Sequence, residues 1–201
     1  MIPGNAFGAQ PCTVAGRRGW HAGHRWVLVS PGAPHNAFGR EVRGEEIAAM
    51  VRADVPEGAW RGTAEGLAMR LLDVVGDHCA ACGGTGYTVC TFDLEPARSC
   101  PLCDENGMEM CSCVPDDIAE VRLLGEHFDV RQLVPLRELL HAAMASIGDW
   151  VRTAVWLAGA PVEFPNGEPA PHRALCVDVG GWRFILAPVL PSTGEAREVI
   201  L

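Results

Sequence analysis

The sequence predicts an α+β protein, in which a helix packs on a small, mostly antiparallel sheet and a cysteine module is inserted mid-chain. Three observations carry this expectation. A Gly180-Gly181 pair separates two alternating apolar runs, leucines recur at helical spacing between 133 and 144, and seven of nine cysteines fall between 79 and 113. The expected organisation is an N-terminal segment over 1–78 with one strand and two helices, the cysteine module over 79–113, and an α+β domain over 114–201 ending in a β-hairpin.

Residues 1–40 are rich in Gly, Pro and Ala and read as an irregular leader with one short strand at 25–30. The stretch Arg17-Arg-Gly-Trp-His-Ala-Gly-His-Arg-Trp26 mixes cations with aromatics. That composition can hold nucleic acid by phosphate contact and stacking, and equally suits a solvated edge strand. His21 and His24 form a lone H-x-x-H, which lacks a third metal ligand. Two helices are expected next. Glu45 to Ala53 sets Ile47, Met50 and Val51 on one stripe and stops at Val55-Pro56. Thr63 is an N-cap candidate for the second helix, whose apolar face is Leu67, Leu71, Leu72 and Val75 before Gly76.

The cysteine module reads Cys79-Ala-Ala-Cys82-Gly-Gly-Thr-Gly86-Tyr-Thr-Val-Cys90 and, after nine residues, Cys100-Pro-Leu-Cys103-Asp-Glu-Asn-Gly107-Met-Glu-Met-Cys111-Ser-Cys113. Both pieces fit C-x-x-C-x-x-x-G-x-x-x-C with an offset of 21 residues, so the unit is duplicated. Two thiolates three positions apart on a tight turn reach adjacent corners of a tetrahedron, and a second pair supplies the other two. The expected cofactor is therefore Zn2+, as one or two ions. Gly83, Gly84 and Gly86 let the backbone turn without a Cβ clash.

The simplest partition puts Cys79, Cys82, Cys100 and Cys103 around one ion, because 17 residues separate the two pairs. The first unit, C-x-x-C-x-G-x-G, resembles the zinc-binding repeat of DnaJ-type co-chaperones; the second keeps only its last glycine. That resemblance implies a different partition, with Cys79, Cys82, Cys111 and Cys113 on one ion and Cys90, Cys100 and Cys103 on another, His78 being a candidate fourth ligand. Both partitions stand at this point. No His-Pro-Asp signature of a J-domain accompanies the repeat. A disulfide framework is disfavoured by the odd count of nine cysteines and the lack of a secretory leader. Redox use of a C-x-x-C wants the pair to open a helix, whereas glycines follow here.

Beyond the module, Ile118 to Leu124 is expected as a strand or short helix. A helix follows from Phe128-Asp-Val-Arg through about Ser146, with Leu133, Leu136, Leu139, Leu140 and Met144 on its buried face. Val151–Leu157 and Pro161–Phe164 read as strands and 165–171 as a loop. In the final hairpin a two-residue Gly-Gly turn sets Val179 opposite Trp182. That register pairs Val177 with Phe184 and Leu175 with Leu186 on one face, and Asp178 with Arg183 on the other, expected to be the more exposed face.

The order of elements over 118–190, with Phe128-Asp-Val-Arg opening a leucine-rich helix and Phe-Ile-Leu-Ala-Pro-Val189 closing the hairpin, resembles a lobe of bacterial DNA polymerase sliding clamps. Asp129 stands where that family has Asn, Gln132 where it has an aromatic, and Ala187-Pro188-Val189 where it has its tail. The resemblance implies a clamp-like lobe and a nucleic-acid setting.

All 16 basic residues are arginine. Schiff-base chemistry, a lysine base and a phosphate-loop lysine are thereby excluded. There is no G-x-S-x-G and no H-E-x-x-H, and none of the five serines adjoins a histidine. Cysteine-only ligation favours a closed, structural metal site over a catalytic one. A net charge of −9 opposes tight non-specific DNA binding. The expectation is a cytoplasmic, non-enzymatic zinc-binding module whose partner is a protein or a nucleic acid and not a membrane. A chaperone-like adaptor and a thiol redox protein are the alternatives.

Overall fold

A computed structural model describes residues 9–22, 25–32, 39–42, 44–75, 87–88, 98–99, 120–159, 162–163, 169–170, 173–191 and 196–201. In chain order the strands are β1 (Gln10–Val14), β2 (Arg17–Ala22), β3 (Trp26–Val29), β4 (Arg40–Glu41), β5 (Trp60–Thr63), β6 (Tyr87–Thr88), β7 (Arg98–Ser99), β8 (Glu120–Leu123), β9 (Glu126–Asp129), β10 (Arg152–Ala158), β11 (Val162–Glu163), β12 (Pro169–Ala170), β13 (Ala174–Val179), β14 (Trp182–Leu186) and β15 (Arg197–Val199). The helices are α1 (Glu45–Arg52), α2 (Ala64–Val75) and α3 (Val130–Ile147). The class is α+β.

One eight-stranded sheet runs β4-β1-β2-β3-β14-β13-β10-β5. Every neighbouring pair in it is antiparallel except β4 with β1. Strands from both sides of the cysteine stretch share it, since β14, β13 and β10 lie between β3 and β5. The sheet is larger than expected because the N-terminal stretch is not an irregular leader with a single strand. Cys12 and Val14 alternate inward on β1, and the Ala15-Gly16 turn, with φ of 49° and 78°, folds β1 onto β2. Positive φ at both turn residues gives the twist that a two-residue hairpin needs. For the same reason β2 is an inner strand, held between β1 and β3, and not a solvated edge.

The terminal hairpin has the register that its turn dictates: Leu175 opposite Leu186, Val177 opposite Phe184, Asp178 opposite Arg183 and Val179 opposite Trp182. Gly180 and Gly181 have φ of 55° and 89°. Val177, Phe184 and Leu186 face a core shared with Leu67 and Leu71 of α2 and Leu133, Leu136 and Leu140 of α3. Phe184 stacks on Trp26 with centroids 5.6 Å apart. A three-stranded sheet, β15-β8-β9, adds Val121, Leu123, Phe128 and Val199 to the same core. Within 118–124, expected as a strand or a short helix, the structure has β8, and the helix expected from Phe128 is α3, which starts at Val130 because Phe128 and Asp129 still belong to β9.

The opposite sheet face is also covered. Val27, Val29, Ala154, Trp156, Cys176 and Ile185 pack there against Val51 of α1, with Ile47 and Met50 partly buried beside it. An eight-residue helix is too short to persist alone in water. It has glutamates 45 and 46 in its first turn and no side-chain N-cap, so its place depends on that packing and on one arginine described below. Thr63 does cap α2: its Oγ1 accepts from the Gly66 amide at 3.1 Å.

Candidate functional site

All seven cysteines singled out in the sequence, Cys79, Cys82, Cys90, Cys100, Cys103, Cys111 and Cys113, lie outside the described residues, as do His24 and His78. Between the two C-x-x-C pairs the structure describes one short ladder. β6 and β7 are antiparallel, with Tyr87 opposite Ser99 and Thr88 opposite Arg98. Among the described residues no group of three or more His, Cys, Asp or Glu side chains could hold a metal ion.

The other two cysteines belong to the core. Cys12 and Cys176 are fully buried free thiols. Burial pushes Cys12 up to about 11 and Cys176 up to about 12, the latter against a smaller opposing pull from Arg183. Neither is a thiolate at neutral pH, so neither is a nucleophile there.

The pair expected on an exposed face is instead a buried polar node. Arg183 is only 8 % exposed. Its Nε and Nη2 donate to Asp178 Oδ1 and Oδ2, each at 2.8 Å, a bidentate charge-assisted pair. Its Nη1 donates to the carbonyls of Met50, Val51 and Ala53 at the C-terminal end of α1. The guanidinium lies 5.0 Å from the Trp156 ring centroid. The hydrogen bonds to Asp178 hold the Arg183 pKa above its ordinary value. A cation from the sheet thus satisfies carbonyls that a helix end leaves open, where the dipole is negative. Alternation alone did not reveal this, because it says which residues share a face and not what covers that face.

Two of the cavities on the described surface bear on function. One, of about 660 Å³, lies between α1 and the sheet over an apolar floor that includes Val27, Ile47, Met50 and Ile185. Arg25, Arg40, Glu41 and Glu46 stand at its rim, and this mixture of signs selects neither an anion nor a cation. The other, an open hollow of about 860 Å³, sits at the sheet end beside Gly180 and Gly181. Trp150 lines it and is 71 % exposed, together with Arg61 and Arg152. A planar ring with cations beside it can stack a base and meet a phosphate.

The same composition occurs in the sequence at 17–26, where Trp20 instead packs 5.9 Å from Trp182. The signal for the hollow was Trp150 two residues before Arg152, at the junction of α3 and β10. Among the described residues no helix is long and apolar enough to cross a membrane. Comparison with protein-family models, curated proteins and solved structures finds no match to this chain.

Proposed function

We propose that this chain is a non-enzymatic, zinc-holding binding module, a scaffold whose partner is nucleic acid. The observation that carries the zinc reading is the duplicated C-x-x-C-x-x-x-G-x-x-x-C unit, with Cys79, Cys82, Cys90, Cys100, Cys103, Cys111 and Cys113 as the ligand pool. Thiolate sites of this kind close the coordination shell and stabilise a fold without performing chemistry. Nucleic acid as the partner is supported by the exposed Trp150 beside Arg61 and Arg152 and by the clamp-like order of elements over 118–190. With a net charge of −9 the affinity rests on few cations and falls with salt.

Metal content tests the first half. Reduced protein dialysed against metal-free buffer should keep one or two zinc ions per chain; less than about half an equivalent refutes it. Structural zinc contributes on the order of 10 kcal/mol to folding in small modules, so Cys82→Ser should unfold the module and leave the terminal hairpin region folded. An electrophoretic shift at low and high salt tests the second half. A single-stranded probe should shift at low salt and be released at high salt, with Trp150→Ala binding more weakly. No shift at either salt removes nucleic acid as the partner.

The DnaJ-type spacing of the first unit favours a second reading, a chaperone-like adaptor that contacts polypeptide. Suppression of aggregation of an unfolded client, without a shift of nucleic acid, would select it. Rapid alkylation of Cys79 or Cys100 in the metal-loaded protein would select a thiol redox protein instead, because coordination occupies the lone pairs that attack.

A further inference from the structure

Resting on the nucleic-acid reading above, we infer that the hollow at the β5 edge is a single-strand site for one nucleotide: Trp150 stacks its base, and Arg61 and Arg152 hold its phosphate from two sides. The sheet register brings these groups together. β5 and β10 are antiparallel, with Arg61 opposite Ala154 and Thr63 opposite Arg152. Residues two apart on a strand share a face, so Arg61 and Arg152 are diagonal neighbours on the face that also carries Ala154 and Asp178. Val151 is buried in the core, and Trp150 and Arg152, on either side of it in the chain, are both exposed.

The two arginines stand where an anion belongs. Diagonal cross-strand neighbours lie about 7 to 8 Å apart, a separation at which like charges repel. An anion between them would turn that repulsion into two attractions, and the described surroundings supply none. Among the described residues Arg61 donates to the Pro56 carbonyl at 3.3 Å, while Arg152 has neither a hydrogen bond nor an ion pair. Asp178 is the acid among the described lining residues, and both of its carboxylate oxygens already accept from Arg183 at 2.8 Å. The charge left over in the hollow is therefore positive. β5 ends the sheet, so the approach to Arg61 is not covered by a further strand. A phosphodiester meets this pair with two non-bridging oxygens, one for each guanidinium.

Trp150 decides the form of the nucleic acid. A base inside a duplex has both faces covered by its neighbours, so it reaches an indole only by leaving the stack, which a single strand allows and a duplex resists. The ring is set in place beforehand. Gly148 has φ of 118°, and a Cβ added there would come 2.6 Å from Trp150 Nε1, so the indole packs closely on the turn. A ring already held loses little freedom when a base arrives. Because every base has a π-face, stacking of this kind sorts by strandedness and tolerates sequence.

Fluorescence anisotropy with the full chain and a labelled oligothymidylate of about 10 nucleotides, alone and annealed to its complement, tests the assignment. At low salt the single strand should bind about 10-fold or more tightly than the duplex. Trp150→Ala should weaken the single strand by about 5- to 150-fold, and Trp150→Phe, which keeps a ring, by less. Arg61→Gln combined with Arg152→Gln should cost about 10-fold or more and flatten the salt dependence. Arg40→Gln combined with Arg197→Gln removes the same charge elsewhere, Arg40 being on the opposite edge strand, and should have the smaller effect. Equal losses in the two double variants, or a duplex bound as tightly as the single strand, would overturn the inference and leave nucleic acid as the partner.

A strand with uncharged methylphosphonate linkages repeats the phosphate test without altering the fold. It should bind wild type as weakly as the normal strand binds the Arg61/Arg152 variant; undiminished binding would overturn the assignment of the arginines. A wild-type chain that binds neither single strand nor duplex at low salt refutes the nucleic-acid reading itself.

Discussion

Replacing Arg183 with alanine should cost about 3 to 4 kcal/mol of stability, as much as replacing its neighbour Phe184. From the alternation of β13 and β14 alone, Arg183 and Asp178 look like an exposed pair, worth under about 1 kcal/mol. The structure changes the magnitude. The Arg183 side chain is 10 % exposed and that of Asp178 24 %, and breaking a buried pair by removing one partner costs about 3 to 5 kcal/mol because the other charge is left uncompensated. Water can reach Asp178, which sets the carboxylate's share at the lower end. The carbonyls of Met50, Val51 and Ala53 lose a charged donor as well, and the Trp156 contact adds about 1 kcal/mol. These contributions share one side chain and do not sum independently.

Phe184→Ala, at a position 1 % exposed, should cost about 3 to 5 kcal/mol from lost burial and the cavity left. Urea unfolding followed by tryptophan fluorescence measures both. A cycle with Asp178→Ala should return a coupling of about 2 kcal/mol. An Arg183→Ala cost below about 1 kcal/mol, with Phe184→Ala above 3 on the same scale, would refute the buried node. Small costs for both would refute the register.

Thr63→Ala removes the acceptor for the Gly66 amide and should cost about 1 kcal/mol in the same unfolding assay. Gly19→Ala would place a Cβ 2.7 Å from the Leu28 carbonyl oxygen inside the sheet and should cost about 1 to 3 kcal/mol; a neutral effect would mean that β2 is not an inner strand. Alkaline pH should destabilise the fold through Cys12 and Cys176. Their thiols are raised to about 11 and about 12 from 9.0, so the neutral form is favoured in the fold. That stability is complete below pH 9.0 and is lost as pH rises through the folded values, at about 1.4 kcal/mol per unit for each group. Unfolding titrations between pH 8 and 11 should show the decline, with Cys176→Val flattening it by about half.

What the sequence disclosed and what it hid divide along one physical line. The terminal hairpin was legible because three local constraints coincide: a turn requiring positive φ at Gly180 and Gly181, a period-2 apolar face, and an opposite-charge pair in the matching register. Helices α1 and α3 and the cap of α2 were legible from stripes and a threonine. The β1–β2 hairpin was not, because Pro11 and three glycines or alanines around the turn mask a two-residue alternation, Cys12 and Val14, that is too short to stand out. Its one usable signal was Ala15-Gly16, the same X-Gly turn that recurs at Leu124-Gly125, where φ is 54° and 87°.

The cover on the second sheet face is of another kind, since no local pattern encodes it. Burial of Arg183 depends on α1, which is some 130 positions away in the chain and brings three carbonyls to one guanidinium. The helix is too short to hold itself, and the arginine is too polar to be buried unpaired. Each meets the other's requirement: α1 shields the cation, and the cation satisfies the Met50, Val51 and Ala53 carbonyls at the C-terminal end of the helix. Such reciprocal dependence predicts that Arg183→Ala loosens α1 before it loosens the hairpin. Amide exchange should therefore quicken at Ala49 to Ala53 while the β13–β14 amides stay protected, and uniform quickening across both would show that the arginine serves the sheet and not the helix.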